Sequence, residues 1–357
     1  MPSQTIRIGL ECNEGCLYCF ADPEMWKDRP RGWGKDYSNL IGDNWRKELR
    51  EIREAGYDGL SISGGEPTLY PDLVKMVKYA RLLGFERVEL QTNATLITES
   101  NARKLSRSGV CSALVSLPSH IEKVYNAITV TKDYHEPAIA GLKNLLDVGV
   151  RVTLCHVLCT ANYRYVADYV DFVAEHFPGL EAISFLYVQP EGRGTANANL
   201  YPSLEDLRPY WLEAMERTDN HGIRWKTDVQ TGLPLCMLPK HEDRVDAELL
   251  LNPEIFWGDD LSSYVYMQGR KRQGSKCTEC FFSKGCYGFW NEYIDAYGDE
   301  GLVPVTSTPE LERLFPLIAG GASVPDLSPG EYITESRMKM TGGIRRKKVS
   351  SKKACSA

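Results

Sequence analysis

The sequence predicts an α/β fold built on a parallel sheet, and three observations carry that expectation. Between residues 5 and 190, short apolar or alternating runs take turns with helical stretches, the pattern of strands joined by helical crossovers. Four of the helical stretches stop at a glycine, namely Gly56, Gly84, Gly109 and Gly149, where a left-handed residue closes a helix cheaply. The chain has 357 residues, 43% of them hydrophobic and 25% charged. That is enough for an α/β domain of roughly 200–250 residues and a smaller second one.

The elements follow in order. IRIGL, from Ile6, is the first strand and runs into a cysteine-rich loop. DNWRKELREIREAG has helical periodicity, and YDGLSIS is a strand that ends at Gly64 and Gly65. Residues 72–83 read as a helix, ERVELQT as a strand, and ESNARKLSRSG as a helix. CSALVSL is a strand, residues 137–148 a helix, and RVTLCHVL a strand. Residues 163–176 read as a helix, and EAISFLYV is a strand rich in β-branched and aromatic residues. These six units fit an open doubly wound sheet or a partial barrel equally well. In both, reactive groups gather at the carboxyl ends of the strands. The cysteine loop, Gly64–Gly65, Asn93, Ser116 and Cys159 all lie at or just past such ends.

After Pro190 the composition changes. EGRGTANANLYPS is a connection, SLEDLRPYWLEAMERTDN reads as helical, and the stretch from Gly222 to Tyr297 mixes short elements with four cysteines. The expected division is a barrel over 1–200, a helical linker over 201–221, an auxiliary domain over 222–300 and an extension over 301–357. The tail of that extension, rich in Lys, Arg and Ser, is expected to be disordered.

Net charge is −6, which does not suit a general polyanion binder, so nucleic acid is not an expected partner. No apolar run approaches the ~18 residues that span a bilayer, and MPSQTIRIGL lacks the features of a signal peptide, so a soluble, cytoplasmic protein is expected. Eleven cysteines in a reducing compartment point to metal binding and away from a disulfide framework. Six of them fall in two tight groups.

The first group is CNEGCLYC, with Cys12, Cys16 and Cys19. Three thiolates suit a centre with one open position. Structural zinc takes four closed ligands, and no histidine lies nearby in sequence to complete a set. A 4Fe–4S cluster with one free iron is the better reading. Zinc completed by a distant ligand stays open on spacing alone.

At this point the sequence resembles the radical S-adenosylmethionine (radical SAM) superfamily. Five stretches match in order: CNEGCLYC, SGGEP at Ser63 to Pro67, LQTNATLI with Ala94 where glycine is usual, VSLPSH, and FLYVQPEGRG. The resemblance implies a (β/α)6 partial barrel. It implies that S-adenosylmethionine chelates the free iron and is reductively cleaved to methionine and a 5′-deoxyadenosyl radical, which takes hydrogen from an unactivated carbon. The electron would come from an external reductant such as flavodoxin or ferredoxin. Ser63, Gly64, Gly65, Glu66 and Pro67 would support the cofactor's methionine end, the glycines by letting backbone approach closely. Tyr18 would lie near the adenine. Asn93 and Ser116 would touch ribose or carboxylate, although a turn residue explains Asn93 equally well.

The second group, KCTECFFSKGC, holds Cys277, Cys280 and Cys286. It resembles the core of SPASM and twitch auxiliary domains. Trp290 stands where a full SPASM domain has another cysteine, which implies one auxiliary 4Fe–4S cluster. Cys236, in GLPLCMLP, is the expected fourth ligand and Cys355 the weaker candidate, while structural zinc on the same four cysteines is the alternative.

Cys155 and Cys159 flank the end of the fifth strand. Either could return a hydrogen atom to a substrate radical, with Cys159 the named candidate, yet a small buried apolar residue is the plainer reading of both. His156 points away from Cys155 and reads as structural. His120 is placed on the ligand side. Glu191 and Arg193 suit cofactor, substrate or solvent alike.

The function expected is therefore that of a radical SAM enzyme, oxidoreductase-like or an epimerase, acting on a peptide or protein side chain or α-carbon. A dehydrogenase or epimerase of a small polar metabolite, such as an aminocyclitol or amino sugar, is the alternative. A zinc-binding protein without activity would require all five matches to be accidental.

Overall fold

In the computed structural model, residues 3–20, 44–195, 197–227, 232–241 and 268–323 are described. The basic tail and Cys355 lie outside the described residues, as do residues 21–43 after the first cysteine group.

Seven strands form one sheet in sequential order, every neighbouring pair parallel. They are β1 (Ser3–Arg7), β2 (Gly59–Ser63), β3 (Arg87–Thr92), β4 (Ser112–Ser116), β5 (Arg151–Leu158), β6 (Ala182–Tyr187) and β7 (Trp225–Lys226). The helices between them are α1 (Asn44–Glu54), α2 (Leu73–Leu82), α3 (Glu99–Ser108), α4 (Glu122–Thr129), α5 (His135–Asp147), α6 (Val166–His176) and α7 (Leu204–Asn220). This is a parallel α/β architecture of the kind the resemblance implies, with helices returning the chain from each strand to the amino end of the next, two of them between β4 and β5.

Three elements depart from the sequence expectation. Helix α4 falls in a stretch to which the sequence reading assigns no element, although Val124, Tyr125 and Ile128 keep helical spacing. Residues 163–165 form a 3-10 turn, so α6 starts later than expected. The seventh strand has two residues and is too short for any periodicity to show.

Strand periodicity sorts the side chains. In β3, β4 and β5 alternate residues are buried and half-buried. The buried set faces the helices: His156 stacks on Tyr169 of α6 with ring centroids 4.1 Å apart, and Phe185 meets Trp211 of α7 at 5.1 Å. The other set faces inward and is strongly polar. The register lines up Thr5 with Ser61, Ser61 with Glu89, and Glu89 with Ser112. Nearer the carboxyl ends it aligns Ser116, Cys155 and Ser184. Residues in register share a face. Ser61 Oγ donates to Glu89 at 2.8 Å and Gln91 Nε2 donates to Ser61 Oγ at 2.9 Å, so the inner face carries a hydrogen-bonded polar floor.

Beyond the sheet, an antiparallel pair of β8 (Lys271–Arg272) and β9 (Phe289–Trp290) leads into α8 (Asn291–Tyr297), α9 (Pro309–Leu314) and α10 (Pro316–Ala319). An aromatic seam holds this region to the sheet. Phe289 packs on Tyr187 at 4.9 Å, and the Tyr293 hydroxyl accepts from Leu204 N–H at 2.8 Å. The Trp211 indole donates to Met237 O at 2.9 Å, so a large buried ring keeps its one polar atom satisfied.

Close packing fixes α5 against the loop after β3. A Cβ on Gly141 would lie 1.9 Å from the Ala94 carbonyl oxygen. Gly141→Ala is expected to cost roughly 3 kcal/mol or more, because backbone must move to relieve the overlap. Chemical denaturation checks this; a midpoint equal to the parent's would contradict it.

Candidate functional site

The first cysteine loop follows β1 directly and is anchored on three sides. From β2, Gly65 N–H donates to Gly9 O at 3.0 Å and Glu66 N–H to Glu11 O at 2.7 Å. From α4, the carbonyls of Thr129 and Ile128 accept from Gly15 and Leu17 at 2.8 and 2.9 Å. From the turn after β6, Arg193 N–H donates to Cys19 O at 2.9 Å. Its guanidinium reaches Cys16 O at 3.4 Å. The helix unread in sequence and the Pro-x-Gly turn thus both position the thiols.

The glycine pair has a specific reason. A Cβ on Gly64 would lie 2.6 Å from Gly9 O, and one on Gly65 would lie 2.0 Å from Glu11 O. Gly64 also has a φ of 150°, which side chains disfavour. The two glycines therefore let β2 approach the cysteine loop's own backbone closely.

Glu66 is buried and its carboxylate is committed to the protein. Oε1 accepts from Thr68 N–H at 2.9 Å, Thr68 Oγ1 at 2.6 Å and Thr92 Oγ1 at 2.7 Å, while Oε2 accepts from Asn93 N–H at 2.8 Å. It ties the end of β2 to the end of β3 and acts as a positioning residue. Pro67 opens the 3-10 turn that this carboxylate caps. Asn93 behaves as a turn residue and a clamp at once: Oδ1 accepts from Thr95 N–H at 3.1 Å, and Nδ2 donates to Asn13 at 2.9 Å and points at Cys12 Sγ at 4.0 Å. Ala94 has a φ of 61°, so the loop keeps the left-handed backbone that glycine would adopt freely. Ser63 is buried at the β2 end in register with Arg7, and Ser116 is half-buried on the inner face beside Cys155.

The three thiols lie close enough to repel one another as thiolates. Burial pushes Cys12 up to about 11 and Cys16 well above the usual thiol range, with Glu14 and neighbouring sulfurs acting the same way. Glu14 N–H donates to Cys12 Sγ at 3.4 Å. The Glu14 carboxylate, buried and raised by that burial, accepts from Cys16 Sγ at 3.4 Å and from the Tyr125 hydroxyl. Sequence reading missed Glu14 and Tyr125, although the charge inside CNEGC was its visible sign.

Tyr18 is half-buried, but its hydroxyl is enclosed and has no hydrogen-bond partner among the described residues. An orphaned phenol beside the three thiols fits a site shaped for a polar ligand. Cys159 is fully buried, its thiol raised to about 11 by burial, while Cys155 is half-buried on the inner face. His156 donates through Nδ1 to Leu117 O at 3.2 Å, and burial holds it down to about 4, as a structural histidine. His120 does not face the ligand side. It packs on Phe172 and Tyr169 of α6 at 5.5 and 6.1 Å, so its reading is corrected to the helical layer. Glu191 is buried, and Arg193 braces the cysteine loop.

The second group draws Cys236, Cys277, Cys280 and Cys286 around one small, partly open cavity, otherwise lined by residues such as Phe282 and Leu302. Each sulfur accepts a backbone N–H. Gly274 donates to Cys277, Val305 to Cys280 and Gly288 to Cys286, all at 3.3 Å, and Val303 donates to Cys236. Four such bonds stabilise four thiolates, the state that metal or cluster requires. Among the described residues, no three His, Cys, Asp or Glu side chains gather tightly enough to share one ion. The four cysteines share the lining of one cavity.

Burial pushes Cys236 up to about 12 and Cys286 up to about 11, and raises Cys277. Loading this site therefore expels protons at neutral pH. Cluster loading on the four thiols is expected to be favoured steeply as pH rises from about 6 to 8, with about one proton released per thiol. Indicator-dye titration during loading reads this, and proton-neutral loading would contradict it.

Comparison with known proteins agrees with the geometry. The model of the radical SAM superfamily matches residues 6–173. The chain is 28% identical over 190 residues to a probable GTP 3′,8-cyclase of Methanopyrus kandleri, covering 53% of this chain and 57% of that one. It is 30% identical over 208 residues to the Fe-coproporphyrin III synthase of Methanosarcina barkeri, covering 58% and 49%. It thus spans about half the length of these curated relatives. The solved structure of native anSMEcpe with bound AdoMet and Kp18Cys peptide superposes with a TM-score of 0.56 at 16% identity, covering 90% of this chain and 98% of that one. That likeness shows a shared fold that extends past the barrel. Its consecutive parallel strands, its cysteine loop braced by Ser63–Pro67 and the match over residues 6–173 identify that part of the chain as a domain of the radical SAM superfamily, whose enzymes use a 4Fe–4S cluster and S-adenosylmethionine.

Proposed function

We propose that this chain is a radical SAM enzyme acting on a peptide or protein substrate, with Cys12, Cys16 and Cys19 as ligands of the first cluster. Together the cluster and S-adenosylmethionine supply, when bound, a 5′-deoxyadenosyl radical able to take hydrogen from carbon. The chain's own residues do the rest. Glu66, Asn93 and Arg193 hold the loop that presents three sulfurs and leaves a fourth position for the cofactor. Tyr18, Ser63 and Ser116 line the approach at the carboxyl ends of the strands. The polar inner face, with Ser61, Glu89 and Gln91 already hydrogen-bonded, receives a polar substrate. Cys236, Cys277, Cys280 and Cys286 hold a second cluster, and Cys159 is the candidate hydrogen donor near the first.

The observation that carries the peptide reading is the four-cysteine region fastened to the sheet. The same two-part architecture extends over nearly the whole of the peptide-bound anSMEcpe structure. A small polar metabolite is the second reading, favoured by the polar floor and by the names of the curated relatives.

The test uses cluster-loaded protein, S-adenosylmethionine and a reductant. Peptides encoded beside the chain's own reading frame are offered with deuterium on their side chains and α-carbons. Deuterium appearing in 5′-deoxyadenosine is expected. If deuterium transfers only from small metabolites and never from peptide, the peptide reading fails. A Cys159→Ala variant that forms product in full yield would remove Cys159 as donor.

A further inference from the structure

Two cations flank the second cysteine site. Lys271, in β8, is only 7% exposed, which is rare for a lysine. It pairs in register with Trp290, and its ammonium sits 4.7 Å from the centroid of that indole ring. The segment joining β8 to β9 carries Cys286, whose carbonyl accepts from Gln273 and whose sulfur accepts from Gly288 N–H. The positive charge of Lys271 acts on Cys286. On the opposite side, Arg208 of α7 donates to the carbonyl of Cys236 at 3.0 Å and to that of Gly301 at 3.0 Å. Its charge acts on Cys236. Asp299 opposes them beside Cys277, but it lies at the surface, where solvent screens it.

A centre held by four thiolates becomes more negative when reduced. Fixed positive charge therefore favours its reduced form, and the effect is largest where burial keeps water away. Lys271 meets that condition, and the aromatic ring beneath it holds its position. We infer that Lys271 and Arg208 set the reduction potential of the second site, each raising it by its positive charge. This rests on the reading that the four cysteines hold a cluster.

The experiment is an anaerobic potentiometric titration of the cluster-loaded full chain, followed by electron paramagnetic resonance, with iron counted in every sample. Lys271→Met keeps the aliphatic stem over Trp290 and removes the charge. It is expected to lower the reduction equilibrium of the second site by about tenfold, or about 59 mV for one electron. Arg208→Gln is expected to shift it in the same direction, and the double variant further. Lys271→Arg restores the charge and should return the potential to within about twofold of the parent. The potential of the first site serves as the internal reference and should stay put. Full iron content with an unmoved potential in Lys271→Met and in Arg208→Gln would overturn the inference and leave the cluster reading intact. Iron for only one cluster in the parent chain would overturn both.

Discussion

Replacing Gly65 by alanine is expected to cut 5′-deoxyadenosine formation by at least about a hundredfold, the scale of a one-ångström misplacement at a reacting centre. The added methyl would sit 2.0 Å from Glu11 O and 2.6 Å from Leu10 O, both backbone atoms of the cysteine loop. No rotamer avoids it, because a Cβ has no freedom of its own. Relief requires the loop and the β2 end to separate by more than an ångström. That breaks the bonds from Gly65 N–H to Gly9 O and from Glu66 N–H to Glu11 O, which seat the loop. Core packing elsewhere is untouched, so the sheet should persist while the loop is displaced. Circular dichroism with iron analysis and product formation separates the two effects. A variant that folds, holds its iron and reacts at the parent rate would show that the seating of the loop does not matter.

Cys236→Ala is expected to have the second largest effect. The structure places this residue among three sulfurs that are close in sequence with each other and distant from it. Its removal leaves Cys277, Cys280 and Cys286 with an incomplete set, and iron should fall by about half, from about eight to about four per chain. Cleavage of S-adenosylmethionine at the first site should survive. Product formation should fail if the second site takes part in turnover. Iron unchanged at about eight would name another fourth ligand for the cluster.

Sequence reading and structure part company in instructive places. The strands of the sheet were legible because β3, β4 and β5 alternate in burial, and that period of two is written directly in residue type. The two cysteine groups stand out by spacing, and Cys236, expected beside the second group by resemblance, lines the same cavity as its three cysteines. What stayed hidden depends on backbone. The N–H donors from Gly274, Gly288, Val303 and Val305 leave no mark on side-chain identity, yet they make the four-sulfur site hospitable to thiolates. The task of Gly64 and Gly65 was also hidden, because the atoms they avoid belong to the cysteine loop after β1, far away in sequence. His120 was misplaced because the chain turns after β4. A strand's alternation cannot be extended through a proline such as Pro118 into the next loop. Helix α4 was missed through its short length, eight residues, and its start without a side-chain cap.

The central claim is that Cys12, Cys16 and Cys19 hold a cluster open to S-adenosylmethionine. The most direct measurement is 5′-deoxyadenosine formed by the loaded parent chain with S-adenosylmethionine and dithionite, set beside the Cys12→Ala, Cys16→Ala, Cys19→Ala triple variant. The account predicts 5′-deoxyadenosine from the parent and none above background from the variant, whose second cluster stays in place. Equal product from both, or none from a parent carrying its full iron, would contradict it.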